Sequence, residues 1–162
     1  MTHESDSGFK FIADEMLGKL AKWLRAIGYD TVYYTGGGDS GLVQKALAED
    51  RIILTRDTHL VKRKLARKTI LVEHDQPRQQ LKQVVKELGL DVESKLFTRC
   101  LICNQELISV EKVNIRDRVP IYTYLTQSKF YECPDCGRVY WPGTHKESMM
   151  EVVHPILGDE CL

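Results

Sequence analysis

The 162-residue sequence predicts an α/β domain followed by a small, β-rich second domain. Three observations carry this expectation. Strand and helix patterns alternate four times in under ninety residues, which implies parallel strands joined by right-handed crossovers. One of those strands, Arg51-Ile-Ile-Leu-Thr-Arg-Asp57, sets three consecutive aliphatics between polar residues, the pattern of a strand buried on both faces. After about Asp91 the texture changes to short β-rich pieces punctuated by two Cys-x-x-Cys pairs.

In chain order, Phe9 to Ala13 turns fully apolar before Asp14 and Glu15, a first strand that ends in acids. Met16, Leu17, Leu20, Ala21, Leu24 and Ile27 then fall at helical spacing, and Gly28 is placed as the left-handed residue that closes the helix. Lys19, Lys22 and Arg25 recur every third residue as a cationic stripe beside the apolar one. Gly18 is unfavourable inside a helix by roughly 1 kcal/mol, which points to the close approach of another backbone or a ligand. Thr31 to Tyr34 reads as a second strand. The Gly36-Gly-Gly38 loop delivers Asp39, well placed as N-cap of a helix carrying Leu42, Val43, Ala46 and Leu47. That loop lacks the spacing and the Lys-Ser/Thr ending of a phosphate loop. The Arg51 strand follows, then a basic helix from about Thr58 to Ala66, then a fourth strand over 69–72 that runs into Glu73, His74 and Asp75. Pro77 suits the first turn of a last helix with Leu81, Val84, Val85 and Leu88, closed by Gly89. In the second domain, strands are expected within 107–113, 119–125 and 139–141.

With 43% hydrophobic and 28% charged residues and no low-complexity tract, the composition excludes a disordered chain. The first eight residues are polar and acidic without an apolar run, so no membrane segment and a cytoplasmic, reducing location are expected. In that setting five cysteines read as metal ligands before they read as a disulfide framework. Formal net charge is zero, but from Arg51 to Lys68 seven cations face Asp57 alone. Such a run either neutralises phosphates or forms a solvated helix face.

Cys100-Leu-Ile-Cys103 and Cys133-Pro-Asp-Cys136 are separated by 29 residues, and each pair can form one knuckle of a tetrahedral zinc site. Asn104 and Gly137 follow the second cysteine of each pair, where tolerance of the left-handed conformation helps backbone amides point at the thiolates. Four protein ligands close the coordination sphere, so the Zn²⁺ is expected to be structural, in a segment too small to fold without a staple. Cys161 is not expected to be a ligand.

Taken singly, Asp39 and Asp57 read as helix caps and Asp14 as a turn residue. Taken together, three carboxylates at strand ends or helix starts would converge on one rim of the sheet, where they repel unless a cation is present. Oxygen-only ligands suit Mg²⁺ or Mn²⁺, and such a site flanked by Lys and Arg suits metal-assisted attack of water on a phosphodiester. Lys22, Arg25, Arg56 and Lys62 are the candidates for phosphate contact. Tyr140 and Trp141 either stack on bases or pack in the core. His145 is read as holding a turn through a hydrogen bond, with no metal role.

The stretch Phe11-Ile-Ala-Asp14-Glu-Met-Leu-Gly-Lys-Leu-Ala-Lys-Trp-Leu-Arg25, with Gly28-Tyr-Asp30, Leu54-Thr-Arg-Asp57, Arg99-Cys-Leu-Ile-Cys-Asn104 and Cys136-Gly-Arg-Val-Tyr-Trp141 through His145, resembles the Mut-seven C-terminal RNase domain family. The resemblance runs from about Phe9 to His145. It implies a PIN-like α/β domain over 9–91 fused to a zinc ribbon over 97–147, with tails at 1–8 and 149–162. It further implies a metal-dependent ribonuclease whose acidic site maps onto Asp14, Asp39 and Asp57, with Asp75 the best-placed fourth acid. RNA is then the substrate, and whether a protein inhibitor or other partner exists stays open. A second class keeps the fold and drops the chemistry: a nucleic-acid or protein binding module in which the acids are caps. Its binding would survive chelation of Mg²⁺ and mutation of Asp14. An aspartyl-phosphate phosphatase is disfavoured, because Met16 stands where that chemistry wants a second acid.

Overall fold

The computed structural model describes residues 8–63 and 68–143, together with 151 and 154. Expectations on Lys64, Ala66, Arg67, His145, Cys161 and most of the tails lie outside these residues.

Four parallel strands form the first sheet: β1 (Lys10–Ala13), β2 (Asp30–Tyr33), β3 (Ile52–Thr55) and β4 (Thr69–Leu71), in the order β2-β1-β3-β4. The helices are α1 (Gly18–Ala26) after a 3-10 turn at Glu15–Leu17, α2 (Gly38–Glu49), the single turn α3 (Thr58–Val61), and α4 (Pro77–Leu88). Side chains of the strands alternate between two apolar layers. Phe11, Ala13 and Leu54 pack with Leu17, Leu20, Leu24 and Ile27 of the first helical segment and with Leu81, Val84 and Val85 of α4. Ile12 and Ile53 point the other way, onto Leu42, Val43 and Ala46 of α2 and Leu60 of α3. The parallel sheet is thus covered on both faces, which explains why the Arg51 stretch is apolar without alternation.

Two glycines are required by their neighbours. Gly28 sits at φ +98°, and a Cβ there would run into the side chain and carbonyl of Lys95, so the chain after α4 lies against the end of α1. Gly18 opens α1 instead of sitting inside it, and a Cβ there would stand 3.2 Å from the Tyr33 ring, so the close neighbour is a side chain and not the backbone or ligand expected. Tyr33 is fixed in turn by its hydroxyl, which donates to the Glu15 carbonyl at 2.6 Å.

The second sheet is antiparallel, β5 (Ile108–Val110), β6 (Phe130–Glu132) and β7 (Val139–Tyr140) in that order, with Ser109 opposite Tyr131 and Tyr131 opposite Tyr140. Two expectations are corrected here. Residues 119–125 do not form a strand: Pro120 precedes helix α5 (Ile121–Thr126), none of whose residues is buried. The β-branched and aromatic residues of this stretch find no neighbouring strand, and β propensity without a partner surface carries little weight. Asp39 does not cap α2; Gly37 occupies that position and Asp39 lies in the first turn, where its charge still suits the helix dipole. Phe97 is a further irregularity, a bulky residue at φ +57°, a conformation that costs roughly 1–2 kcal/mol. It is held there by a 2.9 Å hydrogen bond from its N–H to the Ala26 carbonyl.

Candidate metal centre and acidic rim

Each Cys-x-x-Cys pair folds locally into a knuckle. In the first, the Asn104 N–H donates to the Cys100 carbonyl at 3.0 Å and the Cys103 N–H points at the Cys100 sulfur at 3.4 Å. The second repeats this, with Gly137 donating to the Cys133 carbonyl at 2.9 Å and the Cys136 N–H 3.5 Å from the Cys133 sulfur. Asn104 and Gly137 adopt φ +65° and +74°, as the knuckle geometry requires. Together the knuckles bring the sulfurs of Cys100, Cys103, Cys133 and Cys136 within 4.8 Å of one another. The Cys100 and Cys136 sulfurs are 3.7 Å apart, close to the ~3.8 Å edge of a tetrahedron with ~2.3 Å zinc–sulfur bonds. Four such donors can hold a metal ion such as zinc. Burial opposes ionisation of Cys100, but the Tyr140 hydroxyl at 3.1 Å and backbone N–H groups outweigh it and bring the thiol down to about 7.

The acidic rim is built differently. Asp14 follows β1 and Asp57 follows β3, so the two acids flank the switch point between β1 and β3, where a doubly wound sheet opens its ligand crevice. Both act as caps: Asp14 accepts from the Met16 N–H at 3.0 Å and Asp57 from the His59 N–H at 2.8 Å. Between them lies Thr55, fully buried, whose hydroxyl donates to Asp14 Oδ2 at 2.5 Å and accepts from the Asp57 N–H at 3.0 Å. Thr55 was missed as a site residue, since a threonine ending a buried strand reads from sequence as β propensity alone. Asp39 turns to Arg63, 3.8 Å from its guanidinium. Asp75 is exposed in the loop after β4. A hard cation fits this donor set in chemistry, every acceptor being oxygen. It is not a preformed cage: among the described residues, the four cysteines are the only set of three or more His, Cys, Asp or Glu ligand atoms gathered within 4.8 Å.

The expected phosphate contacts separate. Lys22 and Lys62 are exposed and Arg56 is half-buried, its Nε without a hydrogen bond among the described residues. Arg25 is corrected. Its side chain is buried and donates through Nε to the Thr31 carbonyl at 2.9 Å and through Nη1 to the Leu101 carbonyl at 2.8 Å. Six residues of helix leave the side-chain direction about 120° short of two whole turns, which carries position 25 from the exposed face of Lys19 to the face against the first knuckle. Asn104 completes this junction. Its Oδ1 accepts from the Thr31 N–H at 2.9 Å and its Nδ2 donates to Asp30 at 2.6 Å, while Arg51 holds the same Asp30 oxygen at 2.8 Å. Burial works against ionisation of Asp30, yet the hydrogen bonds from Arg51 and Asn104 and the nearby arginine charges hold its carboxyl below the usual range.

These features define a mixed α/β protein with a parallel four-stranded sheet and a four-cysteine cluster consistent with a zinc ribbon. The chain belongs to the Mut7-C RNAse domain family, whose model matches residues 9–153. Neither the curated proteins nor the solved structures provide a match. Among the described residues, no helix is long and apolar enough to cross a membrane.

Proposed function

We propose that this protein is a metal-dependent ribonuclease acting on RNA in the cytoplasm, with a PIN-like unit over 9–91 and a zinc-stapled unit over 97–147. Membership of an RNase domain family supports the nuclease class. The observation that carries the site is the hydrogen-bonded unit Asp14–Thr55–Asp57 at the β1/β3 switch point. In this reading Asp14 and Asp57 would hold Mg²⁺ or Mn²⁺, with Asp39 and Asp75 supporting from the rim. When bound, the ion supplies an activated water and steadies the leaving oxygen. The chain's own part is positional: Thr55 fixes the Asp14 carboxylate against the backbone that carries Asp57, and Lys22, Arg56 and Lys62 neutralise phosphates.

The test is cleavage of labelled single-stranded RNA with Mn²⁺, Mg²⁺ or EDTA, with zinc content checked in each case. Cleavage should need added metal and fall on the order of 100-fold in Asp14→Asn and Asp57→Asn. Equal cleavage by wild type and both variants would mark the activity as a contaminant's. A binding-module reading is favoured by one observation, that Asp14 and Asp57 are both engaged as caps and Asp39 is ion-paired. It predicts RNA binding without cleavage, unchanged in Asp14→Asn.

A further inference from the structure

Away from the acidic rim, the segment after α4 and the strands β6 and β7 enclose a cavity of 410 Å³. Phe97, Tyr131, Tyr140 and Trp141 line it, together with the exposed Lys129 and Glu93. All four aromatic residues are only half-buried, so each leaves part of its surface open. Three are fixed in advance. The Tyr140 hydroxyl accepts from the Leu101 N–H at 3.2 Å, Trp141 packs at 6.3 Å and 59° against the buried Phe130, and Phe97 is held in its left-handed conformation from Ala26. Strain of that kind persists only where the surroundings demand it. The Tyr131 hydroxyl and Trp141 Nε1 have no hydrogen bond among the described residues, which leaves two donors for a ligand.

Flat aromatic walls with a few polar groups are the make of a site for a planar ring, and aromatic faces accept every base. Lys129 supplies the cation that a phosphate takes, and the Glu93 carboxylate can accept from an exocyclic amine. We infer that this cavity holds one unpaired nucleotide of single-stranded RNA, its base against Tyr131 and Trp141 and its phosphate on Lys129. The inference deepens the ribonuclease reading and rests on it for the choice of RNA. Contacts from Ala26 and Gly28 at the C-terminal end of α1 fix the segment near the N-terminal ends of the strands, the end opposite Asp14 and Asp57. A four-residue strand spans about 13 Å, so the nucleotide held here would lie several positions from the bond at the rim.

The experiment is fluorescence anisotropy of a labelled twelve-nucleotide single-stranded RNA with the full, zinc-loaded chain and no added Mg²⁺ or Mn²⁺. Tyr131→Ala and Trp141→Ala should each raise Kd about ten-fold, and Trp141→Phe, which keeps an aromatic face, should stay within about three-fold. Zinc content equal to wild type establishes folding; should Trp141→Ala lose zinc, Tyr131→Ala decides alone. Wild-type affinity in a zinc-loaded Tyr131→Ala overturns the inference. So does adenosine monophosphate binding as tightly as the twelve-mer, since the cavity would then serve a free nucleotide. Because binding is read without catalytic metal, a chain that binds through this cavity and never cleaves refutes the nuclease reading alone. A chain that cleaves but is indifferent to Tyr131→Ala refutes the cavity alone.

Discussion

The ribbon gathers its four sulfurs within 4.8 Å, whereas the acidic rim spreads its carboxylates over the ends of β1 and β3 and the first turn of α2. The difference follows from what each set does without a metal. Four thiols gathered this tightly can hold a metal ion, and in small sites of this kind metal binding contributes to folding itself. The aspartates are each satisfied locally, by the Met16 and His59 N–H groups, the Thr55 hydroxyl and Arg63. They need no cation to balance one another because they do not meet at one point. The cysteine cluster and the acidic rim are thus distinguished by where their donors find partners.

Removing the ribbon's metal tests this contrast most severely. Cys133→Ser, or prolonged chelation, should abolish a one-per-chain zinc content and unfold β5–β7, since metal binding contributes on the order of 10 kcal/mol in small zinc sites. Circular dichroism should then report the first sheet and its helices still melting cooperatively. Loss of both transitions together would show that the α/β part depends on the ribbon. Asp30→Asn attacks the junction of the two regions and leaves the buried Arg51 with only the longer 3.5 Å contact to Glu49, for an expected loss of about 2 kcal/mol in denaturant unfolding. The pH dependence has a defined sign. Because the folded Asp30 carboxyl lies below its ordinary value, its stabilisation is present above about pH 4 and is lost as pH falls below that. The gap between wild type and variant should therefore narrow in acid.

Thr55→Val keeps the shape of the rim and removes the hydroxyl that joins Asp14 to Asp57, with an expected cost of about 1–2 kcal/mol in stability. If the aspartates work as one site, cleavage should fall about ten-fold with the pH profile displaced as well; a loss of stability alone would leave them as separate caps. Arg63→Gln is the mildest change. The Arg63–Asp39 pair is half-exposed and should contribute about 0.5 kcal/mol or less, but freeing Asp39 should tighten Mn²⁺ binding measured by titration calorimetry. Unchanged affinity would place Asp39 outside the metal site.

Several elements were legible because their causes are local. The helix over Pro77–Leu88 has Pro at its start, apolar residues at helical spacing and Gly89 at its end, and it folds as read. The two knuckles are equally local, each closed within six residues by its own amide-to-sulfur and amide-to-carbonyl contacts. Where partners come from elsewhere, reading along the chain failed. Arg25 looked like a member of a cationic stripe until the first knuckle met it, and residues 119–125 looked like a strand until no neighbour was there.

The sequence by itself determined the parallel sheet, its order of alternating helices and the four-cysteine cluster, because hydrophobic period, capping residues and Cys-x-x-Cys spacing act over a few residues at a time. Only the tertiary structure decided that Arg25, Asp30 and Asn104 bind the ribbon to the sheet, that Thr55 couples Asp14 to Asp57, and that Asp39 stands apart with Arg63. Each of those outcomes needs a hydrogen bond or ion pair between residues 24 to 76 positions apart, and such partners are chosen by packing, not by local spacing.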